Sequence, residues 1–268
     1  MPTYCLNTST IRPCPLIDKI RIAAEAGYQG VELWINDIYE YIGRGGEARD
    51  VEHALADYGL IVPCMIAMRN WGEPVGSEYE LALGECRRRM ELAARFRSPY
   101  IVATPPREVC PLEQLRDRYC DLSAIGREVG VKPTFEYISF FASARSLADA
   151  WQVVRTIDDG DATLLLDSFH NFNTNSAVAQ LAEIPLERIS HYHVSDGGRD
   201  KPAGQQTDPD RVMPGDGVAD LAAEVSHLKA RGYDGTVSLE LFNRELWEQP
   251  PLEVARQGLE RLRALFEG

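Results

Sequence analysis

Positive charge is scarce in this sequence. The 268 residues include 28 Lys and Arg against 41 Asp and Glu, which gives a formal net charge of −13. A chain of this sign cannot release counterions from a polyanion, so non-specific binding to nucleic acid has no electrostatic driving force. We therefore expect no nucleic acid partner.

Long hydrophobic segments are also missing. The sequence has no run of about 20 apolar residues, the length that a membrane-spanning helix needs. Its N-terminal stretch, MPTYCLNTSTIRPCP, does not place a basic segment before an apolar one, as a signal peptide does. These two absences predict a cytoplasmic protein with no membrane partner.

Cysteine motifs are absent as well. The six cysteines lie between residues 5 and 120 and include no CxxC pair, so neither a zinc ribbon nor a redox motif is indicated. We expect reduced thiols, as in a cytosolic enzyme. The sequence also lacks the GxGxxG fingerprint of a doubly wound dinucleotide-binding sheet.

Short apolar runs alternate with longer segments of helical period throughout the chain, a pattern typical of parallel strands joined by crossover helices. The predicted strands are residues 3–7, 30–34, 60–68, 100–106, 131–138, 163–167, 187–194 and 236–242. The predicted helices are residues 15–27, 47–59, 78–96, 111–130, 146–157, 176–182, 221–233 and 251–266. Eight such units predict an α/β fold, a (β/α)8 TIM barrel. Because no Gly/Ser linker interrupts the chain, we expect one domain over residues 1–268.

Ligand-type side chains stand at the ends of the last four predicted strands. They are Glu136 in TFEYI, Asp167 in LLLDSFH, His193 in HYHVSD and Glu240 in SLELFN. In a TIM barrel the chemistry is found at the carboxyl ends of the strands. Three carboxylates and one imidazole form a set that suits Mn²⁺, Mg²⁺ or Co²⁺. The alternative is that each acid merely caps the following helix, as Asp167 does if SFH begins one.

Six segments of the chain resemble one known family. They are GYQGVELW, FEYI, LDSFHNFN, HYHVSD, MPGDG and GYDGTVSLELFN. Along nearly its whole length the chain is similar to the xylose isomerase-like TIM barrels, which include ketose 3-epimerases, hydroxypyruvate isomerase, inosose dehydratase and 3-dehydroshikimate dehydratase. The resemblance implies an enzyme whose substrate is a small sugar or polyol ketone, and relatives that are often homodimers.

The same resemblance implies the ligands of one divalent metal ion, with Mn²⁺ as the first expectation and Mg²⁺, Co²⁺ or Zn²⁺ as alternatives. The implied ligands are Glu136, Asp167, His193 and Glu240. His193 is implied rather than His191 because it begins the HxxD pattern that ends at Asp196.

The reaction implied by the resemblance is isomerisation or epimerisation of a keto sugar or cyclic polyol ketone through a metal-stabilised enediolate. Glu136 and Glu240 come from strands five and eight, so they can approach one substrate carbon from opposite faces and act as base and acid. His170 matches a family histidine that binds a substrate oxygen or shuttles a proton. A lone surface histidine is the competing interpretation.

Several rim residues are candidates for contact with the substrate. The arginines are Arg69, Arg107, Arg199 and Arg211, and the aromatic residues are Trp34, Trp71, Phe140 and Phe242. Arg199 stands six residues after His193, as an arginine does in the epimerases, but the Gly- and Pro-rich loop of residues 195–217 makes Arg211 an equal rival. Core packing explains any single aromatic residue equally well.

Glu32 in GVELW is expected to orient Asn7 or a neighbouring ligand, with a rim salt bridge as the alternative.

Two other functions remain open at this point. A dehydratase of the 3-dehydroshikimate or inosose type would use the same proton abstraction. The segment EYISFFASA at the end of the fifth strand, however, lacks the basic residues that the 3-dehydroshikimate dehydratases carry there. Arg69 or Arg107 would have to take their place. A sugar-binding barrel without catalysis, or a subunit of a larger enzyme, is the second alternative, which the paired acids oppose. Endonuclease IV shares the barrel, but the five histidines leave too few for its metal sites.

Overall fold

A computed structural model describes residues 1–157 and 160–268 of the chain. Eight parallel strands close into a barrel in the order β1-β10-β7-β6-β5-β4-β3-β2, which confirms the predicted (β/α)8 TIM barrel. The barrel strands are β1 (Thr3–Asn7), β2 (Gly30–Trp34), β3 (Cys64–Met68), β4 (Tyr100–Ala103), β5 (Lys132–Phe135), β6 (Thr163–Asp167), β7 (Ile189–Val194) and β10 (Thr236–Leu239).

The helices surround the barrel and cover its outer face. They are α1 (Leu16–Ala26), α2 (Ile35–Gly43), α3 (Ala48–Tyr58), α4 (Ser77–Arg95), α5 (Leu112–Val129), α6 (Leu147–Arg155), α7 (Ser168–Asn173), α8 (Val178–Leu181), α9 (Leu221–Ala230), α10 (Arg244–Trp247) and α11 (Pro251–Glu267). Gly27 ends α1 with a φ of 96°, a left-handed conformation that glycine adopts without steric cost. The predicted stop at this residue is therefore confirmed.

Several details differ from the sequence prediction; for example, the fourth strand ends at Ala103 and not at residue 106. The third strand begins at Cys64, so Pro63 lies outside the barrel ladder, where its missing N–H is not needed. α2 follows β2 directly and has no turn signal before it. α7 starts at once after β6 because the carboxylate of Asp167 caps it.

The Gly- and Pro-rich loop of residues 195–217 is held in place by a short hairpin. Within it, β8 (Asp196–Gly197) pairs antiparallel with β9 (Arg211–Val212). The carboxylate of Asp196 accepts hydrogen bonds from the backbone N–H groups of Gly215, Gly217 and Ala219 at 2.8–3.1 Å. A sequence that reads as irregular therefore positions Arg211 firmly over the mouth of the barrel.

The strand register brings polar residues together at the carboxyl rim. In β6 and β7, Asp167 is the register partner of His193. In β1 and β2, Asn7 is the register partner of Glu32. None of the helices in residues 1–157 and 160–268 is long and apolar enough to cross a membrane. All six cysteines are free thiols.

Candidate active site

Four buried ligand-type side chains meet at the carboxyl end of the barrel. They are Glu136, directly after β5, Asp167 at the end of β6, His193 in β7, and Glu240, directly after β10. One ligand atom from each of the four lies within 4.8 Å of all the others. The structure thus brings together the complete set of side chains that the sequence predicted as metal ligands.

The imidazole of His193 shows why this set suits a cation. Its Nδ1 atom is buried and lies 3.1 Å from Oε2 of Glu240, 3.7 Å from Oε1 of Glu136 and 3.9 Å from Oδ2 of Asp167. Although the first distance is short, the geometry is not that of a hydrogen bond, and Nδ1 has no hydrogen-bond partner within the described residues. A buried nitrogen that points at three carboxylates without a bond fits a divalent cation between them.

Asp167 serves the helix and the cluster with different oxygens. Its Oδ1 atom accepts hydrogen bonds from the backbone N–H groups of Phe169 and His170 at 2.8 and 3.1 Å, which caps α7. Its Oδ2 atom faces His193 and accepts a hydrogen bond from Nη2 of Arg211 at 2.9 Å. The capping interpretation and the ligand interpretation are therefore compatible.

Glu32 lies beneath the cluster, fully buried in the barrel interior. Its Oε2 atom is 3.0 Å from Nε2 of His193 and accepts hydrogen bonds from Ser238 at 2.6 Å and Asn7 at 3.3 Å. Asn7 also donates a hydrogen bond to Oε1 of Glu240 at 2.9 Å. The salt bridges of Glu32 therefore lie inside the barrel and not at its rim, with Nε2 of His191 3.1 Å from Oε1 and Nε2 of His193 3.0 Å from Oε2. A carboxylate on the second nitrogen of a ligating histidine fixes the tautomer and the direction of its ring.

The electrostatics of the cluster follow from its burial. Burial and the neighbouring Glu240 raise the pKa of Glu136 well above the ordinary carboxyl value. Burial alone would lower the pKa of His193, but Glu240 and Glu32 outweigh it and raise that pKa. The site thus concentrates negative charge, which bound protons or a cation must neutralise.

Arg211 is the cation that the structure places against this cluster. Its side chain is 1% exposed, and its Nη2 atom lies 3.4 Å from Oε2 of Glu240 in addition to its bond with Asp167. It also donates hydrogen bonds to Oγ of Ser195 at 3.0 Å and to Oδ1 of Asp208 at 3.3 Å. A guanidinium has enough donors in a fixed plane to hold all these partners at once.

The two rival arginines, Arg199 and Arg211, are placed differently by the structure. Arg199 is exposed and does not line the cavity above the four ligands, whereas Arg211 does. The cavity is lined by Trp34, Ile66, Arg69, Thr104, Arg107, Glu136, Ile138, Phe141, His170, Asp208, Arg211, Glu240 and Phe242. A larger cleft of about 580 Å³ lies between α3 and the end of α4, but none of the four ligands lines it, so it is remote from the chemistry.

The four aromatic candidates separate into wall and core. Trp34 and Phe242 line the cavity and pack edge to face at 5.8 Å between ring centroids. Trp71 is fully buried and donates a hydrogen bond to the backbone oxygen of Thr104, so it belongs to the core. Phe140 packs against His170 behind the cavity, and its neighbour Phe141 takes the place at the wall.

His170 is buried and lines the cavity, so it is not a surface histidine. Burial lowers its pKa to about 3, which leaves the imidazole neutral at physiological pH. Its Nε2 atom lies 3.2 Å from Nη2 of Arg211, and its Nδ1 atom lies 3.0 Å from Oγ of Ser139. The backbone N–H of Ser139 also donates to Nδ1 at 3.4 Å, so Ser139 and Arg211 hold the ring through its two nitrogens.

We expect His170→Ala to lower turnover on the order of 10²-fold, because it removes a hydrogen-bond partner of Arg211 and admits water beside the cluster. Steady-state rates of the metal-loaded protein measure this effect. His53→Ala, at an exposed histidine on α3, is the matched control and should leave the rate unchanged. An unaltered rate in His170→Ala would make the residue a bystander.

Comparison with known proteins identifies the family of this chain. The sequence model of the family named xylose isomerase-like TIM barrel matches residues 20–265. The chain belongs to this family. An inosose isomerase from Halalkalibacterium halodurans is 28% identical over 253 residues, which are 91% of this chain and 89% of that protein.

Two further relatives extend the comparison. A 3-dehydroshikimate dehydratase from Pseudomonas aeruginosa is 27% identical over 260 residues, which are 94% of this xylose isomerase-like chain but 40% of that longer protein. A solved structure described as IolI protein with a binding zinc atom has a TM-score of 0.91 at 24% identity and covers 99% of this chain and 98% of that one. The last likeness shows the shared barrel fold. The named relatives are enzymes, one type an isomerase and the other a dehydratase.

Sequence reasoning missed some residues of this xylose isomerase-like site. Arg12 was not singled out, yet its guanidinium lies 5.7 Å from the centroid of the Trp34 ring. Asp208 was not singled out either, yet it lines the cavity and pairs with Arg211. Asp208 and Arg211 are three residues apart in the segment DPDR, and this spacing was the available signal for their ion pair.

Proposed function

We propose that this xylose isomerase-like barrel is a divalent-metal-dependent isomerase or epimerase of a keto sugar or cyclic polyol ketone. The observation that carries the proposal is the pair of buried glutamates, Glu136 and Glu240, that approach His193 from strands β5 and β10. Relatives named inosose isomerase support a ring ketone as the substrate.

Each residue of the cluster has a part in the proposed reaction. One glutamate removes a proton from the carbon beside the carbonyl, and the other returns a proton on the opposite face. Asp167 and His193 complete the donor set for the cation, and Glu32 holds the His193 ring in place. When bound, a divalent cation supplies positive charge where negative charge develops on the substrate oxygen.

The surroundings serve the same chemistry. Arg211 offers a buried guanidinium beside Asp167 and Glu240, in reach of a substrate hydroxyl or carbonyl oxygen at the cluster. Trp34 and Phe242 form an apolar wall that excludes water and packs against a sugar face. Mn²⁺ is our first choice of cation because the set is rich in oxygen, while the zinc of the IolI structure makes Zn²⁺ its main rival.

A dehydratase is the second candidate function. The same proton abstraction next to a ketone, followed by departure of a hydroxyl group, gives water loss. The Pseudomonas aeruginosa relative named 3-dehydroshikimate dehydratase supports it, as does the position of Arg69 and Arg107 at the cavity, where they can take the place of the missing basic residues after β5.

Proton exchange in D₂O tests the proposal. Protein loaded with Mn²⁺ is incubated with ketoses, inososes and 3-dehydroshikimate, the metal is then chelated, and proton NMR spectra are recorded. We expect deuterium beside the carbonyl together with a new epimer or isomer. Loss of water with new vinyl signals would establish the dehydratase instead. No exchange with any ketone would reject both, and would favour a barrel that binds sugars without catalysis.

A further inference from the structure

One buried acid lies outside the cluster and outside the loop beside it. Within residues 1–157 and 160–268, the buried acids are Glu32, Glu136, Asp167, Asp196, Glu224 and Glu240. Four of them belong to the site, and Asp196 holds the hairpin beside it. Glu224 belongs to helix α9 and is 7% exposed. Because a carboxyl group at this depth is costly unless its surroundings compensate, the position of Glu224 calls for an explanation.

Hydrogen bonds join the carboxyl group of Glu224 to the barrel. The hydroxyl of Tyr192, in β7, donates to its Oε2 atom at 2.7 Å. Burial raises the pKa of Glu224, and hydrogen bonds from Tyr192 and from the side chain of Asn171, in α7, oppose this rise. Tyr192 and Asn171 are both buried, and the other buried residues of α9 are apolar. Glu224 is therefore the polar link between this helix and the barrel.

The hydrogen bonds continue from Asn171 to the residue that follows Glu136. The hydroxyl of Tyr137 donates to Oδ1 of Asn171 at 2.6 Å and accepts from the backbone N–H of Asp167 at 3.2 Å. We call Glu224, Tyr192, Asn171 and Tyr137 the outer network. A buried network of this kind restricts each of its members, so it fixes the backbone of Asp167.

The alternation of side chains along the strands couples the outer network to the cluster. Successive residues of a strand point to opposite faces. Tyr192 packs against helix α11 on the outside, and the next residue, His193, points into the barrel. Tyr137 is likewise the next residue after Glu136. Together with the bond to Asp167, this places a member of the network beside a ligand-type residue on each of β5, β6 and β7, which are adjacent strands.

The outer network includes an unfavourable charge that packing alone does not explain. The pKa of Glu224 is about 7, because burial raises it and the nearby Asp167 and Asp220 add to the rise. The folded state thus keeps this proton to a higher pH than the unfolded chain, so the folded protein loses stability as pH rises from the ordinary carboxyl range toward 7. An apolar side chain would attach α9 to the barrel without this loss.

We propose that the outer network positions the metal ligands from behind the barrel wall, with Glu224 as its anchor on α9. The inference rests on the metal site of the proposed function. The backbone of each strand sets the place of the donor atoms that extend from it. A network that holds three adjacent strands therefore keeps those donors in position for a cation, and its loss weakens metal binding.

Calorimetric titration with Mn²⁺ tests the inference without any need for turnover. We expect Glu224→Leu, which removes the anchor, to weaken Mn²⁺ binding by about 10-fold or more, as is usual when a partner of the ligands is lost. Tyr192→Phe keeps the ring and removes one donor, so it should weaken binding to a smaller extent. Glu224→Gln keeps one acceptor oxygen and should lie between the wild type and Glu224→Leu.

Two controls separate positioning from general destabilisation. Tyr233→Phe removes a buried hydroxyl that donates to the backbone oxygen of Thr236 at the start of β10, the end of the strand away from the site. Leu228→Ala removes a buried side chain of α9 that is outside the outer network. Both should lower the temperature of thermal unfolding and leave the Mn²⁺ affinity unchanged.

Unchanged Mn²⁺ affinity in the Glu224 variants would overturn the inference, and if they do not fold, Tyr192→Phe against Tyr233→Phe decides it. An equal loss of affinity in Leu228→Ala would also overturn it, because destabilisation alone would then explain the effect. A wild-type protein that binds no Mn²⁺ would remove both the inference and the metal-dependent reaction. Weakened binding in the network variants without deuterium exchange on any ketone would remove the reaction alone.

Discussion

Replacement of either Glu136 or Glu240 by glutamine is expected to lower turnover by on the order of 10³-fold or more, while the barrel stays folded. Glutamine has nearly the same shape and keeps one oxygen for the cation, but it can neither take nor give a proton as a carboxyl group does. The effect is large because each acid serves one face of the substrate carbon in the proposed reaction. Rates of deuterium exchange in D₂O measure it.

Two controls separate loss of chemistry from loss of structure or metal. Glu245→Gln changes an exposed glutamate five residues after Glu240 and should leave the rate unchanged. Metal content and thermal unfolding of all the variants show whether the glutamine proteins still hold the cation and the fold. Full activity in Glu136→Gln or Glu240→Gln would remove that residue from the acid and base assignment.

Removal of divalent metal by a chelator is expected to abolish turnover, and Mn²⁺ is expected to restore it. The chelated protein should also unfold at a lower temperature, because a ligand that binds the folded state alone stabilises it. Such a ligand contributes about 2.7 kcal/mol when its concentration is 100 times its dissociation constant. Differential scanning calorimetry with and without added Mn²⁺, Mg²⁺, Co²⁺ and Zn²⁺ measures the shift and ranks the cations.

The pH dependence of metal binding gives a further check on the same site. Since burial and Glu240 raise the pKa of Glu136, the metal-free protein keeps a proton on that carboxyl above the pH at which an exposed glutamate ionises. The cation must displace this proton, so affinity should rise with pH in that range, with proton release on binding. Full activity after exhaustive chelation, or no stabilisation by any of the four cations, would contradict a metal-dependent site.

The fold was predictable because it depends on a repeated pattern. Each strand is a short apolar run, and each helix has a longer amphipathic period, so the boundaries of β1, β2 and β6 agree with the prediction to the residue. The four ligand-type residues were predictable for the same reason, since they stand where the strands end. α2 was missed because INDIYEYIG follows β2 without a turn residue.

The rest of the site depends on contacts that sequence spacing does not encode. Counting residues after His193 favoured Arg199, and the loop of residues 195–217 made Arg211 an equal rival. The place of Arg211 at the cavity follows from the hairpin that Asp196 holds. The role of Glu32 depends on the register that sets it beside Asn7 inside the barrel. Arg69 and Glu136 line one cavity because the barrel closes, which sequence distance does not reveal.

The closed strand order of the barrel also separates the buried polar residues beneath the site from the arginines at the cavity. Glu32, Asn7, Ser238 and His193 lie on β2, β1, β10 and β7, which are adjacent in the barrel, and they form one continuous hydrogen-bonded floor. Arg69 and Arg107 follow β3 and β4, outside that arc. Exchange of the segments after β3 and β4 is therefore expected to change the lining of the cavity while the hydrogen bonds of the floor are left intact.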